Sequence, residues 1–292
     1  MKKISKAIIP VAGLGTRMLP ATKAIPKELL PILDKPLIQY IVEEAIQAGI
    51  NEIIFITRSG KEAIENHFDV NYELEHFLES SGKDKILKSI KNLIPNKIIV
   101  SSIKQEKPLG LGHAILCADD MLKGEDFAVL LPDEVIFTKS KKSDFFKMME
   151  LYKKNNLGQI LVEKTENSEL NNYGVVDLEK RNLKINLPKK ISRIVEKPLP
   201  KTAPSNYRVI GRYILPYEVM PLLSKTSPDK SGEIQLTDAI DELVSKGKNS
   251  INAVLTSSQI FDCGSKKGFL GANIAMASVD KDLKKYLKDM IK

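Results

Sequence analysis

Apolar and polar residues follow one another along this chain in two rhythms. Short apolar runs stopped by Gly, Pro or Asp predict buried strands, and apolar positions three and four apart predict helices packed against them. The first run is Ala7-Ile8-Ile9-Pro10-Val11, halted by Ala12-Gly13-Leu14-Gly15. After it, Leu37, Ile38, Ile41, Val42, Ala45 and Ile46 repeat at helical spacing behind Pro36 and stop at Gly49, and residues 52–57, apolar from Ile53 to Ile56, read as a buried strand. A strand, loop, helix and strand in that order imply a right-handed parallel βαβ unit.

The charged segment 61–95 carries Ile64, Phe68, Leu74, Phe77, Leu78, Ile86, Leu87 and Ile90, which predicts two or three helices over one edge of the sheet. Residues 97–103 and 126–133 read as strands with a helix over 114–121 between them. A helix over 143–155 buries a Phe and Met stripe, and 159–163 is another strand. The pattern then changes. Residues 173–178, 191–196 and 208–214 are strands joined by polar, Pro-bearing or Lys-rich links, which suits a mixed or antiparallel extension of the sheet. A helix opening at Gly232 and running to Ser245, a strand over 259–262 and a basic helix over 279–292 complete an α/β chain.

Composition narrows the class. With 42% hydrophobic and 28% charged residues the 292-residue chain has the balance of a soluble globular protein. Lys2 and Lys3 precede only a strand-length apolar run, unlike a secretory signal, and no run approaches the ~20 apolar residues of a membrane span, so a cytoplasmic location is expected. The net charge of +8 raises the question of nucleic acid. Only 6 of the 45 basic residues are Arg, the lysines are dispersed and there is no Trp, which argues against stacking and phosphate-fork recognition. Cys117 and Cys263 are too few for a disulfide or zinc framework. His67 and His76 have no ligand-like neighbours and read as structural or surface residues, and His113 as a helix-packing one.

The chemistry gathers first on the loop after residue 11. Gly13 and Gly15 let backbone come close to a ligand, and Arg17, Lys23 and Lys27 follow, a combination suited to polyphosphate. A Gly-rich turn with surface lysines is the plainer alternative. The dinucleotide fingerprint fails because Met18 stands where Gly or Ala must let the helix pack, and no P-loop Gly-Lys-Ser/Thr occurs. Met18 thereby largely removes a dinucleotide oxidoreductase, which stays as a third reading to be finished by a failure of NADH to protect against thermal unfolding.

The run GLGTRMLPATKAIPKELLPILDKPLIQY resembles the signature of the sugar-1-phosphate nucleotidylyltransferases, most closely the bacterial UTP:glucose-1-phosphate uridylyltransferases. The resemblance continues in order through GLGHAILCADD, LLPDE, NNYGVV, IVEKP, APSNYRVIGRYIL, GEIQLTDAID and FDCGSKKG, and so covers nearly the whole chain. It implies a Rossmann-like three-layer αβα nucleotidyltransferase fold: one domain over 1–292, with a nucleotide-binding half (1–140), a sugar-phosphate half (141–270) and a C-terminal helix (271–292) available for oligomer contact.

The resemblance also implies roles. Arg17 and Lys27 would hold the β and γ phosphates of UTP, Ala12, Gly13 and Gly15 would line the nucleotide, and Gln105 with Gly110 would meet the uracil ring. Glu196 would bind glucose hydroxyls and Lys197 the sugar phosphate, with Gly174 and Gly211 giving backbone access and Glu233 nearby. On spacing alone Gln105 is also compatible with a polar loop, and Glu196-Lys197-Pro198 with a surface ion pair before a turn. Asp133 and Asp262, each ending a strand, are the expected Mg²⁺ carboxylates, although one direct aspartate with waters also serves in such sites. Glu134 receives no role. The implied reaction converts UTP and α-D-glucose 1-phosphate to UDP-glucose and pyrophosphate, and a homodimer or homotetramer is expected. The rivals are dTTP or another sugar phosphate in the same chemistry, and a silent nucleotide-sugar sensor.

Overall fold

Each apolar run that begins and ends with a chain-turning residue becomes a strand, and most of these strands join one sheet. The computed structural model describes residues 3–179, 182–247 and 251–290. Its strands are β1 (Lys6–Pro10), β2 (Pro31–Ile32), β3 (Lys35–Pro36), β4 (Glu52–Thr57), β5 (Ile99–Lys104), β6 (Phe127–Leu130), β7 (Glu134–Phe137), β8 (Gly158–Lys164), β9 (Gly174–Leu178), β10 (Lys189–Glu196), β11 (Tyr207–Leu215), β12 (Ile251–Leu255) and β13 (Gln259–Asp262). The α-helices are α1 (Leu37–Gln47), α2 (Glu62–Phe68), α3 (Tyr72–Ser80), α4 (Asp84–Lys91), α5 (Gly110–Leu116), α6 (Asp119–Leu122), α7 (Asp144–Asn155), α8 (Val219–Leu223), α9 (Leu236–Ser245), α10 (Lys266–Ala277) and α11 (Lys281–Met290).

The main sheet has nine strands in the order β5-β4-β1-β6-β11-β8-β12-β10-β9. From β5 to β6 all neighbours are parallel, as βαβ crossovers require. β11 then runs antiparallel to both β6 and β8, β12 pairs with β8 in parallel, and β10 and β9 follow antiparallel. Tyr207 and Arg208 of β11 also pair with β9, so the last five strands close a ring of hydrogen bonds.

Side-chain alternation places a separate core on each face of the sheet. Ile8, Ile54 and Ile56 pack with residues of α5, α8 and α9, whereas Ala7, Ile9, Ile53 and Phe55 pack with those of α1 and α7. Two helical layers therefore enclose the sheet. A third, smaller cluster of Ile32, Leu37, Val135, Phe261, Cys263 and Ala272 joins the β2–β3 hairpin, the β7–β13 pair and α10. No helix among the described residues is long and apolar enough to cross a membrane.

Several boundaries differ from the sequence reading. Three helices, α2 to α4, fill the charged segment, within the two or three expected, whereas the helix over 114–121 divides into α5 and α6. The helix expected from Gly232 starts at Leu236. Asp229 accepts hydrogen bonds from the N–H groups of Ser231 and Glu233 and from Gln235 Nε2, and these local bonds hold residues 229–235 as a loop. β12 was not anticipated. The C-terminal helix is α11, and the last two residues of the expected span 279–292 lie outside the described residues.

Candidate active site

The site forms where β1, β6 and β13 end on the same side of the molecule. Pro10 ends β1, and the chain then runs through three single 3₁₀ turns, Thr16–Met18, Ala21–Lys23 and Lys27–Leu29, instead of one helix. Gly15 adopts a φ of 69°, in the left-handed region open to glycine, and its carbonyl accepts a 2.7 Å bond from the Thr22 hydroxyl. A Cβ on Gly13 would point at the Lys27 side chain, 3.7 Å from Cε. The loop thus wraps Lys27 and leaves Gly13 exposed.

Asp133 lies where Leu131-Pro132 turns the chain from β6 into β7. Leu131 N–H still donates to Gly211 in the main sheet (2.8 Å), whereas the Asp133 carbonyl accepts from Cys263 (2.7 Å) in the second, two-stranded sheet. The β7–β13 register sets Asp262 opposite Glu134, beside Asp133 in the chain. Two acids 129 positions apart, at 133 and 262, are brought together in this way.

The cations meet them directly. Lys27 Nζ donates to Asp133 Oδ2 at 2.7 Å, and Arg17 Nη1 to Asp262 Oδ2 at 3.0 Å, with Arg17 Nη2 3.7 Å from Asp133 Oδ2. Burial opposes charge on both members of the Lys27–Asp133 pair, but mutual attraction outweighs it. Asp133 is held below the usual carboxylate range by Lys27 and, less, by Arg17, and Lys27 is raised by Asp133 and Glu28. A Cβ on Gly264 would stand 2.4 Å from Arg17 Nη2, so this glycine gives the guanidinium its place. Among the described residues no three His, Cys, Asp or Glu side chains converge as a metal cage. A hard divalent cation such as Mg²⁺ takes one or two carboxylates and leaves its other positions to phosphate oxygens and water, and the partly exposed carboxylates of Asp133 and Asp262 fit that donor set.

Behind this quartet are buried charges that sequence reasoning missed. Arg212, fully buried, donates to Glu44 Oε2 through Nε and Nη2, and to the carbonyls of Leu131, Gly211 and Glu134. It grips the chain on both sides of Asp133. Glu134, given no role above, is buried and accepts from Arg208 (3.1 Å) and from Gly211 N–H. Arg208 also binds Glu163 and lies 4.3 Å from the centre of the Tyr173 ring. Lys61 pairs with Glu28 at 2.5 Å, both almost wholly buried. Burial raises the Glu28 carboxyl and lowers the Lys61 amine, so desolvation outweighs attraction in this pair. The available signal was two arginines inside the apolar run 207–215, since a buried guanidinium demands partners.

On the base side, Gln105 is buried just beyond β5, and its backbone N–H donates to Thr57. Its Nε2 lies 3.2 Å from the Gly110 carbonyl oxygen and 3.0 Å from His113 Nδ1. Gly110 has a φ of 87°, and a Cβ there would come within 2.7 Å of Glu233 Cβ. Ile234 N–H donates to Leu109 and Gly112 N–H to Ile234, so the 229–235 loop is fastened to the base-side loop. Glu233 therefore sits against Gly110, in a loop and not at a helix N-terminus.

On the sugar side, Glu196 ends β10, opposite Gly174, and Oε2 accepts from the Thr237 hydroxyl at 3.1 Å. Lys197 takes a positive φ of 42° and keeps an exposed amine 3.6 Å from Glu196. Gly211 departs from its expected role of giving backbone access. Its N–H goes to Glu134, its carbonyl accepts from Leu131 and Arg212, and a Cβ would meet Leu131 Cβ at 2.4 Å. The glycine is required by strand packing. His67 faces Gln39 and Phe68, and His76 stacks on Tyr72, away from these groups.

Comparison with known proteins agrees with this architecture. A UTP–glucose-1-phosphate uridylyltransferase of Haemophilus ducreyi is 42% identical over 294 residues, covering 98% of this chain and 99% of the relative. The UTP-bound enzyme of Acinetobacter baumannii superposes with a TM-score of 0.91 at 42% identity, over 99% of this chain and 98% of that one. A UDP-glucose pyrophosphorylase complexed with UDP-glucose gives 0.85 at 39% identity, over 95% and 100% of the two chains. Residues 6–279 match the profile described as nucleotidyl transferase, and with that coverage and those identities the chain belongs to the nucleotidyl transferase family.

Proposed function

We propose that this chain transfers a uridylyl group from UTP to α-D-glucose 1-phosphate, giving UDP-glucose and pyrophosphate by in-line attack on the α-phosphorus, with no covalent intermediate. The observation that carries this reading is the convergence of Arg17 and Lys27 on Asp133 and Asp262 at the strand ends, where cations and carboxylates are held ready for polyphosphate and a divalent ion. Relatives with this architecture are described as bound to UTP and to UDP-glucose, the substrate and product of the reaction.

In this reading Arg17 and Lys27 exchange their carboxylate partners for the β and γ phosphates, with Ala12, Gly13 and Gly15 offering backbone along the triphosphate. Gln105 and Gly110 meet the uracil. Glu196 accepts from glucose hydroxyls beside Gly174, Lys197 meets the sugar phosphate, and Glu233 closes the pocket from the fastened loop. Asp133 and Asp262 would hold Mg²⁺, which when bound supplies positive charge to the phosphate oxygens. The attacking phosphate oxygen is already an anion, so no general base is required. The work left to the side chains is to align two polyanions and offset their repulsion. A cytoplasmic location and a homodimeric or homotetrameric assembly belong to the same proposal.

The test is exchange of labelled pyrophosphate into UTP. Direct displacement requires UDP-glucose for exchange, because pyrophosphate must attack a finished product. Exchange with UTP alone would reveal a uridylyl-enzyme and overturn the mechanism.

A further inference from the structure

We infer that His113 is a positioning residue that sets which pyrimidine the site accepts, by fixing the orientation of the Gln105 amide. The inference rests on Gln105 as the base-reading group. One amide nitrogen, Gln105 Nε2, faces both the Gly110 carbonyl oxygen at 3.2 Å and His113 Nδ1 at 3.0 Å. A carbonyl oxygen only accepts, so Gly110 decides which end of the amide is nitrogen. With one N–H directed there, the other donates to His113 Nδ1, which must be the unprotonated ring nitrogen, with the proton on Nε2. His113 stands three residues after Gly110 on α5, so both locks come from one turn of helix.

Both amide hydrogens are therefore used inside the protein. The remaining group, Gln105 Oε1, accepts from no donor among the described residues. An oxygen that only accepts requires an N–H on the base. Uracil and thymine carry a hydrogen on N3, whereas cytosine has a bare lone pair there, and two acceptors would face each other with neither satisfied. A freely turning amide could reverse itself and offer Nε2 to cytosine. The bond to His113 opposes that reversal, so the imidazole keeps the acceptor face of Gln105 toward the base.

The experiment compares kcat/KM for UTP with kcat/KM for CTP in the intact protein and in His113→Leu, His113→Met, His113→Asn and Gln105→Ala. Leu and Met remove the acceptor in side chains of different shape, so the test does not depend on one variant folding. Asn places an amide oxygen near the position of Nδ1 and retains an acceptor. The UTP:CTP ratio is expected to fall roughly tenfold in the Leu and Met variants, about the worth of one hydrogen bond, and to be retained in His113→Asn. A packing role would lower both nucleotides alike and leave the ratio unchanged in all three, which would overturn the inference. An unchanged ratio in Gln105→Ala would instead defeat the base-reading assignment beneath it. A ratio that falls for Gln105→Ala and not for His113→Leu or His113→Met would leave that assignment standing and remove the inference alone.

Discussion

At the residue scale, the site is a set of charges satisfied by one another. Asp133 is held below its ordinary value, so the stability it confers is complete above about pH 4 and is lost as pH falls through its folded value. Lys27, held above its ordinary value, contributes fully below about pH 10 and loses its contribution as pH rises through the folded one. Asp133→Asn should accordingly cost about 1–3 kcal/mol at pH 7 in urea unfolding, and the difference from the parent should shrink as pH falls below about 4 and through the depressed folded value of Asp133. A difference independent of pH would show that the charge pair is not its source. Gly264→Ala puts a methyl group where Arg17 Nη2 now lies, but the guanidinium is the end of a flexible side chain and can move. The expected result is a thermal midpoint within about 2 °C of the parent with turnover reduced roughly 10- to 100-fold, as for loss of a charged hydrogen bond. Full activity would mean that Arg17 does not need this seat.

At the element scale, the phosphate loop has no long helix of its own and depends on neighbours for its shape. Glu28 lies beneath it, paired with Lys61 at the start of α2. Lys61→Met strands the carboxylate in the interior, and about 3–5 kcal/mol of stability should be lost at pH 7. Because burial raises the Glu28 carboxyl, that variant should be most stable at acid pH and should weaken as pH rises through the folded value. A loss below about 1 kcal/mol would place Lys61 among ordinary surface pairs. This buried pair also marks the limit of the sequence reading. Lys27, Asp133 and Asp262 were legible because strand ends and glycine turns announce themselves locally. Glu28, Lys61, Glu44 and Arg212 were not, since each looks like a surface charge until the partner that is distant in sequence is known. Gly110 and Gly211 show the same limit: the resemblance implied close approach of a ligand, and what the sequence did not announce is the close approach within the protein of Glu233 to Gly110 and of Leu131 to Gly211.

At the scale of the whole molecule, the parallel half was readable because each crossover leaves only one handedness and one neighbour. The second half was readable as strands and not as an order, because antiparallel strands joined by irregular links can pair in several ways, and β12 escaped notice altogether. The single chain also leaves an apolar stripe of Leu283, Tyr286, Leu287 and Met290 unburied along α11, with Leu270 and Ile274 exposed on α10. If these helices meet a second copy, light scattering on the eluted protein should give a multiple of 32.6 kDa, and Leu283→Glu with Tyr286→Glu should shift it toward the single-chain mass. A parent protein eluting at the single-chain mass would contradict that assembly. The central claim concerns chemistry, and pyrophosphate release by the purified protein tests it most directly. Release should require UTP and glucose 1-phosphate together, exceed that with dTTP, and stop when EDTA removes the divalent cation; no release from the two substrates, or equal release from UTP alone, would contradict the account.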